Sequence, residues 1–264
     1  MSLILGALVV GCAHLFANMI NDVADKNSGV DDIDKRYFAF FGGSKLLPEG
    51  RLSIDWYTRA ALAAAGLAGI ALIILTYRLG RYETPLLFAV VLGLAWQYSC
   101  PPLKFAYRGF GELIVFICCG PACLAGGVYL TGGGYPSIGQ WLLSFPFGFL
   151  TTGILLANEV PDYFEDKASE KRNLVVRLGQ EKGWLLFLLI EICGWISIAA
   201  IWYLGYLKSI VALATLIAFP LVLWATFILK NNPQQKELLV LSSKLGIAVQ
   251  TIVSVILIAG EFIN

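Results

Sequence analysis

Two clusters of acidic and amide side chains have the types and spacing to hold a metal ion. The first contains Asn18, Asn21, Asp22, Asp25 and Asp31, and the second Asn158, Glu159, Asp162, Glu165 and Asp166. Asn21 and Asp25 recur at one constant offset as Asn158 and Asp162, while Asn18/Asp22 fits the second cluster at a slightly longer offset. Residues four apart share a helix face. Asn21 therefore stacks with Asp25, and Asn158, Asp162 and Asp166 are expected to form a three-rung ladder. Carboxylates stacked in this way repel one another unless a cation stands between them. Mg²⁺ suits oxygen-only donors: it takes one or two carboxylates and completes its shell with water and phosphate oxygens. Two such sites facing each other would clamp a diphosphate. Lys104, which follows Tyr98-Ser-Cys-Pro-Pro-Leu, and Lys171 and Arg172, which follow the second cluster, lie at the same membrane surface and could neutralise the same phosphates. Asp32, Asp34, Glu49 and Glu170 read as loop acids paired with nearby Lys and Arg.

The elements that must position these groups are membrane helices. The chain is 58% hydrophobic and 14% charged, which excludes an ordinary soluble domain. Eight apolar stretches are long enough to serve as candidate spans: Leu3–Ile20, Ile54–Tyr77, Pro85–Tyr98, Gly111–Leu130, Ile138–Ala157, Gly183–Leu204, Ile210–Leu229 and Leu241–Ile263. The third is short and ends at Pro101-Pro102. Strand-like alternation is absent, so the predicted fold is an all-α polytopic membrane protein, one helical domain over residues 1–264. The repeat of the acidic motif makes two four-helix halves, and packing them as a bundle would bring the clusters face to face.

Charge sets the orientation. Lys26, Lys35, Arg36, Lys45 and Arg51, then Lys104 and Arg108, then Lys167, Lys171, Arg172, Arg177 and Lys182, then Lys230, Lys236 and Lys244 lie on alternate loops. The opposite loops carry Arg78, Arg81 and Lys208. By the positive-inside rule the rich side is cytoplasmic. Both clusters lie on it, so the site is expected to face the cytoplasm of a bacterial cytoplasmic membrane or its equivalent. The loops after the first and fifth spans, roughly thirty and twenty-five residues long, are where function concentrates. No nucleic-acid partner is expected. The six cysteines read as small packing residues.

These residues resemble the UbiA-type intramembrane prenyltransferases. Asn21-Asp22-x-x-Asp25-x-x-x-Gly29-x-Asp31 is similar to that family's first aspartate motif. The stretch from Asp162 through Asp166, Lys171-Arg172-Asn173 and Arg177 to Gly179 is similar to its second. Ser28 to Asp31, Gly42-Gly43-Ser44, Tyr98 to Lys104, and Tyr107-Arg108-Gly109-Phe110-Gly111-Glu112 resemble the branch that prenylates 1,4-dihydroxy-2-naphthoate. The resemblance implies two Mg²⁺ ions held by Asn21, Asp25 and Asp31 on one side and Asp162 and Asp166 on the other, with Asp22 and Asn158 as further donors. It implies a polyprenyl diphosphate and an aromatic acceptor as substrates. Asp25, Asp162 and Lys104 would carry the chemistry, and Lys104, Lys171, Arg172 and Tyr98 would bind the diphosphate. It also implies nine spans, so that a first helix would be missing from the eight counted here.

Some side chains are read in two ways. His14, Asn18 and Glu112 could contact the acceptor. Alternatively, His14 packs as a buried histidine, and Glu112 is only an N-terminal helix charge. Tyr98 and Trp96 offer π faces to a cation or serve as packing anchors. Glu191 is costly in a span unless it faces the bundle interior. Gly66, Gly69, Gly126 and Gly127 are expected to allow close helix packing. The competing functions are prenyl transfer to homogentisate, a porphyrin or a lipid alcohol, an ion-coupled transporter, and a binding protein with a dead site.

Overall fold

The computed structural model describes residues 1–29, 44, 46–82, 84–131 and 134–262. Asp31, Asp32, Asp34, Gly42 and Gly43 lie outside the described residues. Among the described residues there is no strand. Among the same residues seven helical stretches are long and apolar enough to cross a membrane, and an eighth, Thr84–Ser99, is apolar but shorter.

The first half consists of α1 (Ser2–Ser28), α2 (Ile54–Leu79), α3 (Thr84–Ser99) and a fourth span broken into α4 (Gly111–Ile117), a π-helical turn (Cys118–Ala122) and α5 (Cys123–Leu130). Pro121 sits inside that turn. A proline has no N–H to donate and its ring clashes with the carbonyl four residues back, and a wider turn accommodates both. The second half consists of α6 (Ile138–Glu159), α9 (Gly183–Tyr203), a seventh span made of α10 (Ser209–Thr215), a 3-10 turn (Leu216–Ala218) and α11 (Phe219–Asn231), and α12 (Lys236–Gly260). Two short helices, α7 (Tyr163–Ala168) and α8 (Leu174–Leu178), lie in the long loop after α6.

Local signals explain the ends. Gly29 closes α1 at φ 78°. The Ser53 side chain accepts the Trp56 N–H at the start of α2, and Ser137 and Gln140 form a reciprocal capping box on α6. The largest core lies in the second half, around Phe187, Leu156, Val160 and Val175, none of them accessible. The two halves meet where α4 and the π turn cross α6. A Cβ on Gly120 would stand 2.7 Å from the Ser144 carbonyl oxygen, and one on Gly148 would stand 2.7 Å from the Phe116 carbonyl oxygen. The glycines expected to mediate close packing do not: a Cβ on Gly66, Gly69, Gly126 or Gly127 would meet nothing within 4 Å. They face outward, and small size alone did not distinguish them from the glycines at the crossing.

Candidate active site

Three loops and the end of α1 converge on one end of the bundle. The Arg172 N–H donates to the Tyr107 carbonyl at 3.3 Å, joining the loop after α6 to the loop after α3. Gln180 Nε2 donates to the Val160 carbonyl at 2.9 Å and to the Pro233 carbonyl at 2.8 Å, adding the loop after α11. Lys171 adds the end of α1: its Nζ lies 3.5 Å from Asp25 Oδ2 and 3.5 Å from Asp166 Oδ1. The two acidic clusters therefore meet, and they meet across a lysine.

Asp25 is oriented from several directions. Asn21 Nδ2 donates to its Oδ2 at 3.1 Å, the spacing expected of a shared helix face. The Tyr107 hydroxyl donates to its Oδ1 at 3.0 Å and shares a hydrogen bond with the Ser28 hydroxyl at 2.9 Å. The Ser99 hydroxyl donates to Asn21 Oδ1. Asp166 accepts from Asn173 Nδ2 at 2.7 Å, and Asn173 also caps α8 by accepting the Val176 N–H at 2.8 Å. Burial pushes the Asp166 carboxyl up to about 6, against the opposing pull of Lys171 and Asn173. Burial also works against the Lys171 ammonium, but Asp166 and Asp25, with Tyr98 and Tyr107, outweigh it and hold its pKa well above the usual lysine range. Burial and then the Asp25 charge raise the Tyr107 phenol, which keeps it a donor.

The three-rung ladder does not form as one helix. α6 ends at Glu159, a turn containing Pro161 intervenes, and α7 starts at Tyr163. The lower pair keeps helical spacing, since the Asp166 N–H donates to the Asp162 carbonyl at 2.8 Å. Asn158 belongs to α6, and its Oδ1 is buried without a hydrogen-bond partner. Asp162, half-buried, precedes α7. Although Asp162 is the repeat-equivalent of Asp25, it is Asp166 that meets Asp25 across Lys171.

Asp22 points elsewhere. Its Oδ2 accepts from the Ser44 hydroxyl at 2.7 Å, the Ser44 N–H at 3.2 Å and the Tyr57 hydroxyl at 2.9 Å, so it fastens Ser44 to α1 and α2. Lys104 sits with its Nζ 4.8 Å from the centre of the Tyr107 ring. The Arg172 side chain is exposed, and its backbone does the joining. Lys104 at φ 48° and Glu170 at φ 61° are the non-glycine residues with positive φ among the described residues. One is a site lysine and the other directly precedes Lys171. Such conformations cost about 1–2 kcal/mol and persist where the surroundings enforce them.

Glu112 combines a helix-start position with burial at the edge of the site. It opens α4, and it is buried beside the site: its Oε1 accepts the Leu174 N–H at 2.6 Å. The neighbouring Glu159 carboxyl shares its environment, and one oxygen of each acid is buried without a partner. Tyr98 lies among Glu159, Lys171, Glu112 and Asp25. His14 is not a buried packing histidine; it shares an exposed face of α1 with Asn18. Glu49 pairs with Arg51 at 3.7 Å, as a solvated loop acid should.

Ser28, Ser99, Tyr107 and Asn173 have no individual role assigned from sequence, and Glu159 counts there only as part of the second cluster, yet they orient the acids or line the site. Their proximity in sequence to the motifs was a signal, but only contacts between loops give them partners. Among the described residues no three His, Cys, Asp or Glu side chains converge on one point. The donors present are oxygens only, two carboxylates and nearby carboxamides, and Asn158 Oδ1 lacks a partner, which fits Mg²⁺ completed by phosphate and water.

Residues 1–245 match the UbiA prenyltransferase family. The chain belongs to that family and is a prenyltransferase. It is 29% identical over 251 residues to a Mycobacterium tuberculosis protein named 1,4-dihydroxy-2-naphthoate octaprenyltransferase, covering 92% of this chain and 77% of the relative. It is 28% identical over 169 residues to a Synechocystis protein named 2-carboxy-1,4-naphthoquinone phytyltransferase, covering 63% of this chain and 51% of that relative. The fold matches the apo structure of a UbiA homologue from Aeropyrum pernix K1 with a TM-score of 0.72 at 18% identity, covering 98% of this chain and 89% of the other. UbiA membership and the apolar helices make it an integral membrane protein.

Proposed function

We propose that this prenyltransferase moves a long prenyl group from its diphosphate to 1,4-dihydroxy-2-naphthoate or a close naphthoate, and that it requires Mg²⁺. The observation that carries the reading is Lys171 lodged between Asp25 and Asp166 at 3.5 Å from each: opposing acids and a shared ammonium match a diphosphate and its counter-ions. Naphthoate enters from the names of the relatives and from the Tyr98–Lys104 and Tyr107–Glu112 stretches. Bound Mg²⁺, held by Asn21, Asp25, Asn158, Asp162 and Asp166, with Asp31 outside the described residues, would neutralise the diphosphate as charge builds on it.

The chain's own residues do the rest. Tyr107 and Asn21 fix the rotamer of Asp25, and Asn173 fixes that of Asp166. Lys171 and Lys104 supply positive charge to the leaving diphosphate as the allylic C–O bond breaks with its electron pair. Tyr98 and Tyr107 offer ring faces to the allylic cation. The ring carbon that bears the carboxylate then bonds to the allylic carbon, and the carboxylate leaves as CO₂, its bonding pair returning to the ring. The apolar bundle keeps water from the cation. The basic side carrying the site faces the cytoplasm.

The test uses membranes containing the full chain, a polyprenyl diphosphate, Mg²⁺ and either 1,4-dihydroxy-2-naphthoate or homogentisate, with products identified by mass. Prenylated, decarboxylated naphthoate is expected. Asp25→Ala and Asp166→Ala should each lower its formation at least a hundredfold. Product from homogentisate alone, or near-normal turnover by both variants, would sink the reading.

A further inference from the structure

The lysine between the two acids implies how the site fills. Its ammonium is 3.5 Å from both carboxylates, beyond the roughly 2.7–2.9 Å of a tight charge-assisted hydrogen bond, so it is shared between them. The three side chains are only 16%, 12% and 4% exposed, so solvent and salt screen the trio weakly. Backbone contacts fix the base of Lys171. Its N–H donates to the Asp166 carbonyl at 2.8 Å, the next N–H reaches the Tyr107 carbonyl, and Glu170 before it is left-handed. Only the four-carbon stem is free to swing. With Lys171 removed, two buried carboxylates would face each other with nothing between them. With it present, a dication approaching alone meets both an occupied position and a like charge.

We propose that Lys171 is the resident cation of the site: it holds the two halves together before substrate arrives, yields its place only when metal and diphosphate enter together, and then turns to the phosphate oxygens. This rests on the diphosphate-transfer reading and adds an order of assembly to it. Free metal is excluded, and the diphosphate opens the site by giving the displaced ammonium a new partner.

The test is Mn²⁺ binding to the purified full chain, read by the electron paramagnetic resonance of unbound Mn²⁺, with and without inorganic pyrophosphate. Lys171→Met should bind Mn²⁺ alone at least tenfold more tightly than the wild type. Added pyrophosphate should abolish or reverse that advantage. Lys171→Arg, which keeps the charge, should behave like the wild type with metal alone. The metal-free Lys171→Met protein should melt several degrees lower, and Mn²⁺ alone should restore it. Lys171→Gln gives the same comparison if the methionine variant does not fold. Equal or weaker Mn²⁺ binding by a folded, charge-free variant overturns the proposal. Because no acceptor or prenyl chain is present, this readout is separate from the turnover test. Naphthoate turnover without the gain in metal affinity would overturn the exchange alone. The gain without naphthoate turnover would overturn the acceptor assignment alone.

Discussion

Asp25 and Asp166 face each other across Lys171 but have different neighbours. Asp25 takes hydrogen bonds from a phenol and a carboxamide. Asp166 sits deeper, at 3% exposure, and burial lifts it to about 6 despite Lys171 and Asn173. The consequence for pH has two parts. A carboxyl that binds its proton more tightly when folded contributes stability that is fully present below its unfolded value of 3.8 and is lost as pH rises through about 6. Metal binding has the opposite sense, because only the ionised form is a ligand. Affinity for Mn²⁺ in the presence of pyrophosphate should therefore fall as pH drops through about 6. Asp166→Asn should bind weakly at every pH and lose that inflection. An unchanged inflection in the variant would assign the pH dependence to another group. Asp25 and Asp166 were both legible as candidate ligands because type and spacing marked them. Their inequality was not, because it comes from burial, which the hydrogen bond from Asn173, the cap of α8, only partly offsets.

The loops act as elements as much as the helices do. Arg177 clamps two of them together: its Nε donates to the Arg172 carbonyl at 2.9 Å and an Nη to the Arg108 carbonyl at 2.7 Å. Gly109 makes room for that clamp. It lies at φ 72°, and a Cβ there would stand 2.7 Å from Arg177 Nε and 3.2 Å from the Arg172 carbonyl oxygen. Gly109→Ala would add about 1–2 kcal/mol of backbone strain and push the guanidinium off the loop that carries Lys171. Prenyl transfer should drop at least tenfold, with a melting shift of only a few degrees. Arg177→Ala should do the same. The double variant should be little worse than either single one, since both act through one clamp. Full additivity would show that Gly109 serves something other than Arg177. The motif around Gly109 could be read in the sequence, but its reason could not: the partner is far along the chain. The broken ladder has the same kind of cause. The four-residue spacing of Asn158, Asp162 and Asp166 suggested one helix, and Pro161 divides it into α6 and α7.

Across the whole molecule, composition and charge carried the reading far. The eight apolar stretches correspond to the seven long spans and the shorter Thr84–Ser99 helix, and the repeated acidic motif foretold two halves meeting at one end. What stayed hidden was set by packing between distant helices, as with the crossing at Gly120 and Gly148. Glu191 was expected to turn inward and does so: it is fully buried against α6, where a Cβ on Gly153 would stand 2.2 Å from its Oε1. The alternation of basic loops has a geometric counterpart. Hydrogen bonds and ion pairs join the loops after α3, α6 and α11 to the end of α1. At the opposite end Arg81 lies 4.5 Å from the centre of the Tyr129 ring. By the positive-inside rule the first group of loops is expected in the cytoplasm. In sealed right-side-out vesicles, on a background with the native cysteines replaced, Glu181→Cys should resist a membrane-impermeant maleimide until the vesicles are opened. Tyr203→Cys, 84% exposed at the other end, should react at once. The reverse pattern would turn the site outward and require the diphosphate to be supplied from outside the cell, whereas the expected pattern gives Lys104 and Lys171 access to a donor made in the cytoplasm.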